Sequence, residues 1–313
     1  MRNVESVTVA EGVVDLRSWV RDQKSGKEKG VFSSCSILRE AVLPESLRTI
    51  GYSCFSNCKA LIKINIPSGV TELGDRTFFN CHSLKNILLP QGIQHLPKQL
   101  FHGCEALVSI KLPSNIKTIG NGAFGSCVAL ASVNFNELKE LESMGSSVFN
   151  KCSALVKVDL SELNKLKEIG SYAFGECSSL TDFAFPPNLT VMKQLTLYKC
   201  SSLVNVKLPT SLQKIESSVF SQCPSILNIE AGDNISEDLL REITNLNDGS
   251  VTILTVLHTP PTEKGKKRKS LTNNNTTKNN TTKKGRVESK PSEESLVDLT
   301  SDDNATEMRR MRN

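Results

Sequence analysis

Aromatic side chains are scarce in this 313-residue chain, at 5%, with one Trp and three Tyr, so aliphatic residues must supply most of a core. No apolar run approaches the roughly 18–20 residues that a membrane-spanning helix requires. Residues Met1 to Gly12 show neither the positively charged start nor the apolar stretch of a secretory signal. A secreted or membrane-spanning protein is therefore disfavoured, unless the start of the chain has been trimmed. Histidine is rare as well: the four are His82, His95, His102 and His258, and no motif joins any of them to a nucleophile or an acid. A triad can assemble from distant residues, but the expectation is a non-enzymatic protein with no cofactor.

Net charge is missing from most of the chain. Residues 263–313 hold 13 Lys and Arg against 8 Asp and Glu, which leaves 25 of each sign in residues 1–262. The formal charge of +5 thus sits wholly in the last segment, which has no aromatic residue. It contains an Asn/Thr/Lys stretch, Asn273 to Lys284, and an acidic, Ser-rich stretch, Ser289 to Asp303. Such a composition cannot bury enough apolar surface to offset the entropy of ordering, and it predicts a disordered tail.

What the sequence has in quantity is period. Of ten cysteines, nine fall at Cys35, Cys58, Cys81, Cys104, Cys127, Cys152, Cys177, Cys200 and Cys223, in steps of 23 or 25 residues. A period of this size signals a solenoid. The other positions keep phase, and one complete copy runs Phe101, Cys104, Leu107, Ile110, Leu112, Pro113, Ile116, Ile119 and Gly120. The segment Leu-x-x-Ile-x-Leu ends in the alternation of a strand with one buried face. Pro44, Pro67, Pro90, Pro113, Pro186 and Pro209 follow it; lacking an amide donor, proline ends the strand and turns the chain. Asn136 and Ser161 hold that place in the two 25-residue units. Ile119, Ala123, Phe124 and Cys127 recur at near-helical spacing, which predicts a short helix or 3₁₀ turn on the opposite side. Nine stacked units at about 4.8 Å make a rod or arc roughly 40–45 Å long.

These residues resemble the BspA-like leucine-rich repeats over roughly residues 31–232. The resemblance implies a right-handed solenoid, an α/β horseshoe-like and strand-rich fold with a parallel sheet on one face. It also implies a binding role, often at cell surfaces. The domain reading is an N-terminal cap at 1–30 with a Lys/Gly insertion, nine repeats at 31–234, a C-terminal cap at 235–258 and the tail at 259–313. In the caps, Val7, Val9, Val13 and Leu16 read as a degenerate first strand, Ser236 as the cap of a short helix carrying Leu239, Leu240 and Ile243, and Val251 to Leu257 as a closing strand.

Three motifs yield to the repeat. The cysteines are read as buried core thiols, since zinc sites pair ligands two to four residues apart and only Cys54 and Cys58 come close to that. So many unpaired thiols suit a reducing compartment. Gly120-Asn-Gly122-Ala-Phe-Gly125 matches the dinucleotide fingerprint, yet Gly120 stands where Gly51, Gly74, Gly145 and Gly170 stand in other copies, and Gly125 matches Gly175. With Ile and Leu inward, the residues flanking Ile point outward and form the candidate protein-binding face: Lys63, Asn65, Asn86, Leu88, Lys111, Asn134, Lys157, Asp159, Asp182, Asn205 and Lys207, continued by Asn228 and Glu230. The face is mixed in sign, which argues against a phosphate-binding groove.

The tail carries two short signals. Lys264, Lys266, Lys267, Arg268 and Lys269 resemble a nuclear import signal. Leu296, Val297 and Leu299, followed by Asp302 and Asp303, resemble a SUMO-interaction motif, which would bind by adding a strand to a sheet edge. The expected function is an intracellular, nuclear scaffold for unidentified protein partners, with SUMO as a tail partner and no small-molecule substrate or membrane. Asn-x-Ser/Thr sequons at Asn188, Asn234, Asn274, Asn275, Asn279, Asn280 and Asn304 keep a cell-surface adhesion protein as the alternative. Accessory nucleic-acid binding through the basic tail is a third reading.

Overall fold

The computed structural model describes residues 4–17, 20–21, 28–232, 235–236, 238–239, 243 and 255–258. The chain divides into two compact units, 1–262 and 263–313, and the second lies outside the described residues. The nine corner cysteines from Cys35 to Cys223 mark eight successive turns of a solenoid.

Short strands from successive turns form two rows of parallel pairs, and the turn holding Asn86 and Leu88 has no front strand. The front row is the predicted one. Ser6–Thr8 pairs with Glu40–Val42, which pairs with Lys63–Ile64. Ser109–Ile110 pairs with Ser132–Val133. Lys157–Asp159, Asp182–Ala184, Asn205–Lys207, Asn228–Ala231 and Thr255–His258 then form one five-stranded sheet. The second row begins with Asp15–Leu16, Thr49–Ile50 and Glu72–Leu73. It continues with His95–Leu96, Thr118–Ile119, Ser143–Met144 and Glu168–Ile169, and ends with Val191–Met192 beside Lys214–Ile215.

The second row corrects one detail of the sequence reading, because Ile119 belongs to a strand and not to a helical turn. The corner that follows alternates two kinds of hydrogen bond. Ala123, Gly125 and Cys127 N–H donate three residues back within the turn, at 3.2, 3.0 and 3.2 Å. Gly122, Phe124 and Ser126 donate forward to Ser146, Val148 and Asn150 of the next turn, at 2.8, 2.9 and 2.7 Å. Gly122 and Ser126 reach forward from the left-handed region, at φ of 62° and 58°, and Arg76 with Asn80 and Ser147 with Lys151 repeat the pair. Sending every second amide to the neighbouring turn leaves no continuous helical ladder. Among the described residues the one 3₁₀ helix is Phe135–Glu137, in the first 25-residue unit.

The inward register holds throughout. Leu107, Ile110, Leu112, Ile116 and Ile119 are buried, as are their counterparts in the other turns except Val133, which is half-buried and packs against the core. At the corners Phe32, Phe55, Phe78, Phe101, Phe124, Phe149 and Phe174 stack along the axis with ring centroids 5.1–5.8 Å apart. Leu197 ends the stack, and Phe183 and Phe185 of the same turn fill the volume, with Phe183 edge-on to Phe174 at 4.9 Å. Gly120 is required by crowding: a Cβ there would lie 2.8 Å from the Lys98 backbone nitrogen.

At the ends, Leu16 is buried, and Val7, Val9 and Val13 pack against the core. Ser236 Oγ accepts the Leu239 N–H at 3.2 Å, and Leu239 and Ile243 are buried; Leu240 lies outside the described residues. The closing strand is Thr255–His258. Leu107 touches no solvent, so Leu107→Ala should lower the unfolding free energy by about 2–5 kcal/mol. Urea titration of the variant checks this, and a near-neutral value would contradict the inward register.

Candidate functional site

The outward face follows from strand alternation: between buried Val158, Phe183 and Val206 the flanking side chains must leave the core. Lys63, Asn65, Asn86, Leu88, Lys111, Lys157, Asp159, Asn205 and Lys207 are exposed, while Asp182 is half-buried. Leu88 is 73% exposed, the largest value among the big apolar residues, in a turn where no front strand forms. Asn134 departs from the expectation. Its amide turns back, accepting the Leu112 N–H at 2.9 Å and donating to the Leu112 carbonyl at 3.1 Å. It therefore replaces the main-chain pairing that the 25-residue unit interrupts, and both ends of its amide are engaged with the neighbouring turn.

The structure gathers seven of the predicted residues into one place. Lys157, Asp159, Asp182, Asn205 and Lys207, with Asn228 and Glu230, line a shallow trough of about 410 Å³ over the five-stranded sheet. Its polar groups form chains along the solenoid axis. Asn228 Nδ2 donates to Asn205 Oδ1 at 2.7 Å, and Asn205 Nδ2 donates to Asp182 Oδ1 at 2.7 Å. Lys207 Nζ lies 2.9 Å from Glu230 Oε1. The Ser161 hydroxyl holds the Asp159 carboxyl below its usual range, with Lys157 and Lys207 adding to the effect. Hydrogen bonds from Thr181 and Asn205 do the same for Asp182. Both carboxylates stay charged at neutral pH, so the trough presents ordered charges of both signs.

Sequence reasoning missed the rim. The residue after each inward Leu of the repeat faces outward beside the first polar row, and here it is repeatedly aliphatic. Ile62, Val108, Val156 and Leu227 are 43–50% exposed, Ala131 is exposed, and Val204 is half-buried. The signal was in the sequence, as an apolar column out of phase with the core.

The thiols do more than fill space. Cys81, Cys104, Cys127, Cys152 and Cys177 each donate Sγ–H to the carbonyl of the previous turn's corner Phe, at 3.1–3.3 Å. Burial pushes Cys54, Cys58, Cys127 and Cys177 up to about 12, and Cys81, Cys104 and Cys152 well above the usual thiol range. A thiol held neutral is a poor nucleophile and a poor ligand. Among the described residues, no group of three or more His, Cys, Asp or Glu is placed to hold a metal ion. The import residues Lys264, Lys266, Lys267, Arg268 and Lys269, and Leu296, Val297, Leu299, Asp302 and Asp303, lie outside the described residues.

A family described as "BspA type Leucine rich repeat region" matches residues 28–155 and 137–246, in 6 copies. No curated protein matches the chain. Among solved structures, the leucine-rich repeat protein of T. pallidum is 23% identical with a TM-score of 0.45, over 52% of this chain and 83% of that one. A leucine-rich cell surface protein from Faecalibacterium prausnitzii is 24% identical with a TM-score of 0.46, over 76% of this chain and 62% of that one. The pneumococcal vaccine antigen PcpA is 17% identical with a TM-score of 0.47, over 75% of this chain and 73% of that one.

Proposed function

Since this chain belongs to the BspA-type leucine-rich repeat family, we propose that it is a non-enzymatic scaffold whose trough over Lys157–Glu230 binds a protein partner. The observation that carries the reading is the pairing of that charged trough with an exposed aliphatic rim. Val156 and Leu227 stand beside Lys157 and Asn228, so apolar area and fixed charges share one surface. Exposed apolar patches bordered by polar groups mark association surfaces, and charges held by neighbours choose the partner and its register. A polar, extended segment with charges of alternating sign and an aliphatic anchor suits this surface.

The buried, hydrogen-bonded thiols favour a reducing compartment, and the reading includes an intracellular location, with a cell-surface adhesion role as the alternative. Staining intact cells for a tagged full-length chain separates the two, since labelling without permeabilisation supports the surface. The trough is tested by placing a photo-crosslinking residue at Val156 or at Lys167 of the full chain. A defined adduct is expected from Val156 and not from Lys167, and Lys157→Glu/Lys207→Glu should reduce it about tenfold or more. Equal adducts from both positions, or an adduct indifferent to the charge reversal, would overturn the assignment.

A further inference from the structure

The corner opposite the front strands holds a second, chemically different cavity. It has a volume of about 540 Å³. Its floor is Gly122 and Gly125, which belong to the glycine-rich stretch that the repeat phase explained only in part. At the Gly125 place other turns carry Ser33, Ser56, Phe79, His102, Asn150, Tyr198 or Ser221, and Gly175 shares the glycine. The His102 ring is seated over Gly125, where a Cβ would lie 2.6 Å from Nδ1, and the notch lies beside it between the turns before and after; at Gly175 the Tyr172 ring comes close, with a Cβ 3.0 Å from its Cδ1. Lys98, Gln99 and His102 form one wall, and Ser147, Asn150 and Lys151 the other.

The notch is one-signed, unlike the trough. Its lining holds two ammonium groups and an imidazole but no carboxylate. Two acids border it: Asp75 Oδ1 accepts the Lys98 backbone N–H at 2.9 Å, and Glu176 Oε1 is 4.0 Å from Lys151 Nζ. Among the described residues, the Lys98 ammonium has no ion pair. His102 stacks on Phe79 at 5.2 Å. Its Nδ1 and the Asn150 Oδ1 are buried without a hydrogen-bond partner, on opposite walls of the notch. Burial lowers the His102 pKa, and the nearby Arg76 and Lys151 cations add to this. The Lys98 ammonium, without an ion pair, beside unmet polar atoms favours an anionic, hydrogen-bonding guest.

The backbone narrows the choice of ligand. In a phosphate-binding loop, free amides cradle the anion. Here the Gly122, Phe124 and Ser126 amides are already spent on the next turn. The anion must therefore be held by side chains, with Lys98 and Lys151 as the charges. The Ser126 and Ser147 hydroxyls and the Asn150 amide surround the remaining space.

We propose that this notch binds a small hydroxylated anion, a carboxylate or phosphate on a short polyol, through Lys98 and Lys151. Calorimetric titration of the full chain with glycerate, glycerol phosphate and neutral glycerol tests it. Saturable binding of either anion, weakened by salt and not matched by glycerol, is the expected result, and the anion that binds identifies the headgroup. Lys98→Ala/Lys151→Ala should lose about tenfold or more in affinity, while Lys63→Ala/Lys111→Ala removes the same charge from the front face and should retain it. Equal loss in the front-face variant, no saturable binding of either anion, or glycerol binding as well as the anions would overturn the proposal.

Discussion

Phe101→Ala should destabilise the solenoid by about 3–5 kcal/mol, read as a lower urea midpoint. The ring is wholly buried in the middle of the stack, 5.5 Å from Phe78 on one side and 5.5 Å from Phe124 on the other. Truncation removes the contacts on both faces at once. It also loosens the corner at which three forward amides, those of Gln99, Phe101 and Gly103, join one turn to the next. In a linear array the stability of each unit depends on its neighbours, so a defect in a central turn weakens the coupling of the two halves. Phe101→Leu should cost clearly less, because Leu197 occupies the same column in a later turn. If the two substitutions cost the same, the stacked rings contribute nothing beyond aliphatic bulk.

The repeat was legible because its physics is local and repeated. Cys-x-x-Leu-x-x-Ile-x-Leu fixes which residues face inward, and that register places Leu107, Ile110 and Leu112 in the core. The corner was harder to read. Ala123, Phe124 and Cys127 have the spacing of a helix, but their neighbours send amides to the next turn, and bonds across 22 or 24 residues leave no mark on a window of eight. The trough shows the same limit. Outward residues were assigned one by one from alternation, yet their convergence depends on where the front sheet runs unbroken. That is the stretch from the second 25-residue unit onward, where Lys157 to Glu230 lie. Asn134 was misjudged because its amide substitutes for a missing strand bond, which no pattern of hydropathy records. The glycines of residues 120–125 were correctly tied to the repeat phase. The notch they border appears only when the neighbouring turns are stacked on either side.

Stability should also fall steeply above pH 9, and the cause is the thiol ladder. Burial raises Cys54, Cys58, Cys127 and Cys177 from 9.0 in the open chain to about 12 in the folded chain. A raised folded-state pKa stabilises fully below the unfolded value and loses that contribution as pH climbs toward the folded value. Between pH 9 and about 12 the unfolded chain releases these protons and the folded chain retains them, so ionisation favours unfolding. Each thiol then forfeits about 1 kcal/mol per pH unit. These four alone remove on the order of 5 kcal/mol by one unit above 9, a large part of the stability of an ordinary domain. Chemical denaturation from about pH 8 to pH 10, under reducing conditions, measures the slope. Cys127→Ala/Cys177→Ala should be less stable at pH 8, since the Phe101 and Phe149 carbonyls lose their Sγ–H donors. Its stability should nevertheless fall less steeply with pH, because two of the retained protons are gone. The two proteins differ only in these two thiols, so the difference between the slopes isolates them. Parallel slopes would mean that the ladder ionises as readily folded as unfolded, and that its burial is not what the geometry implies.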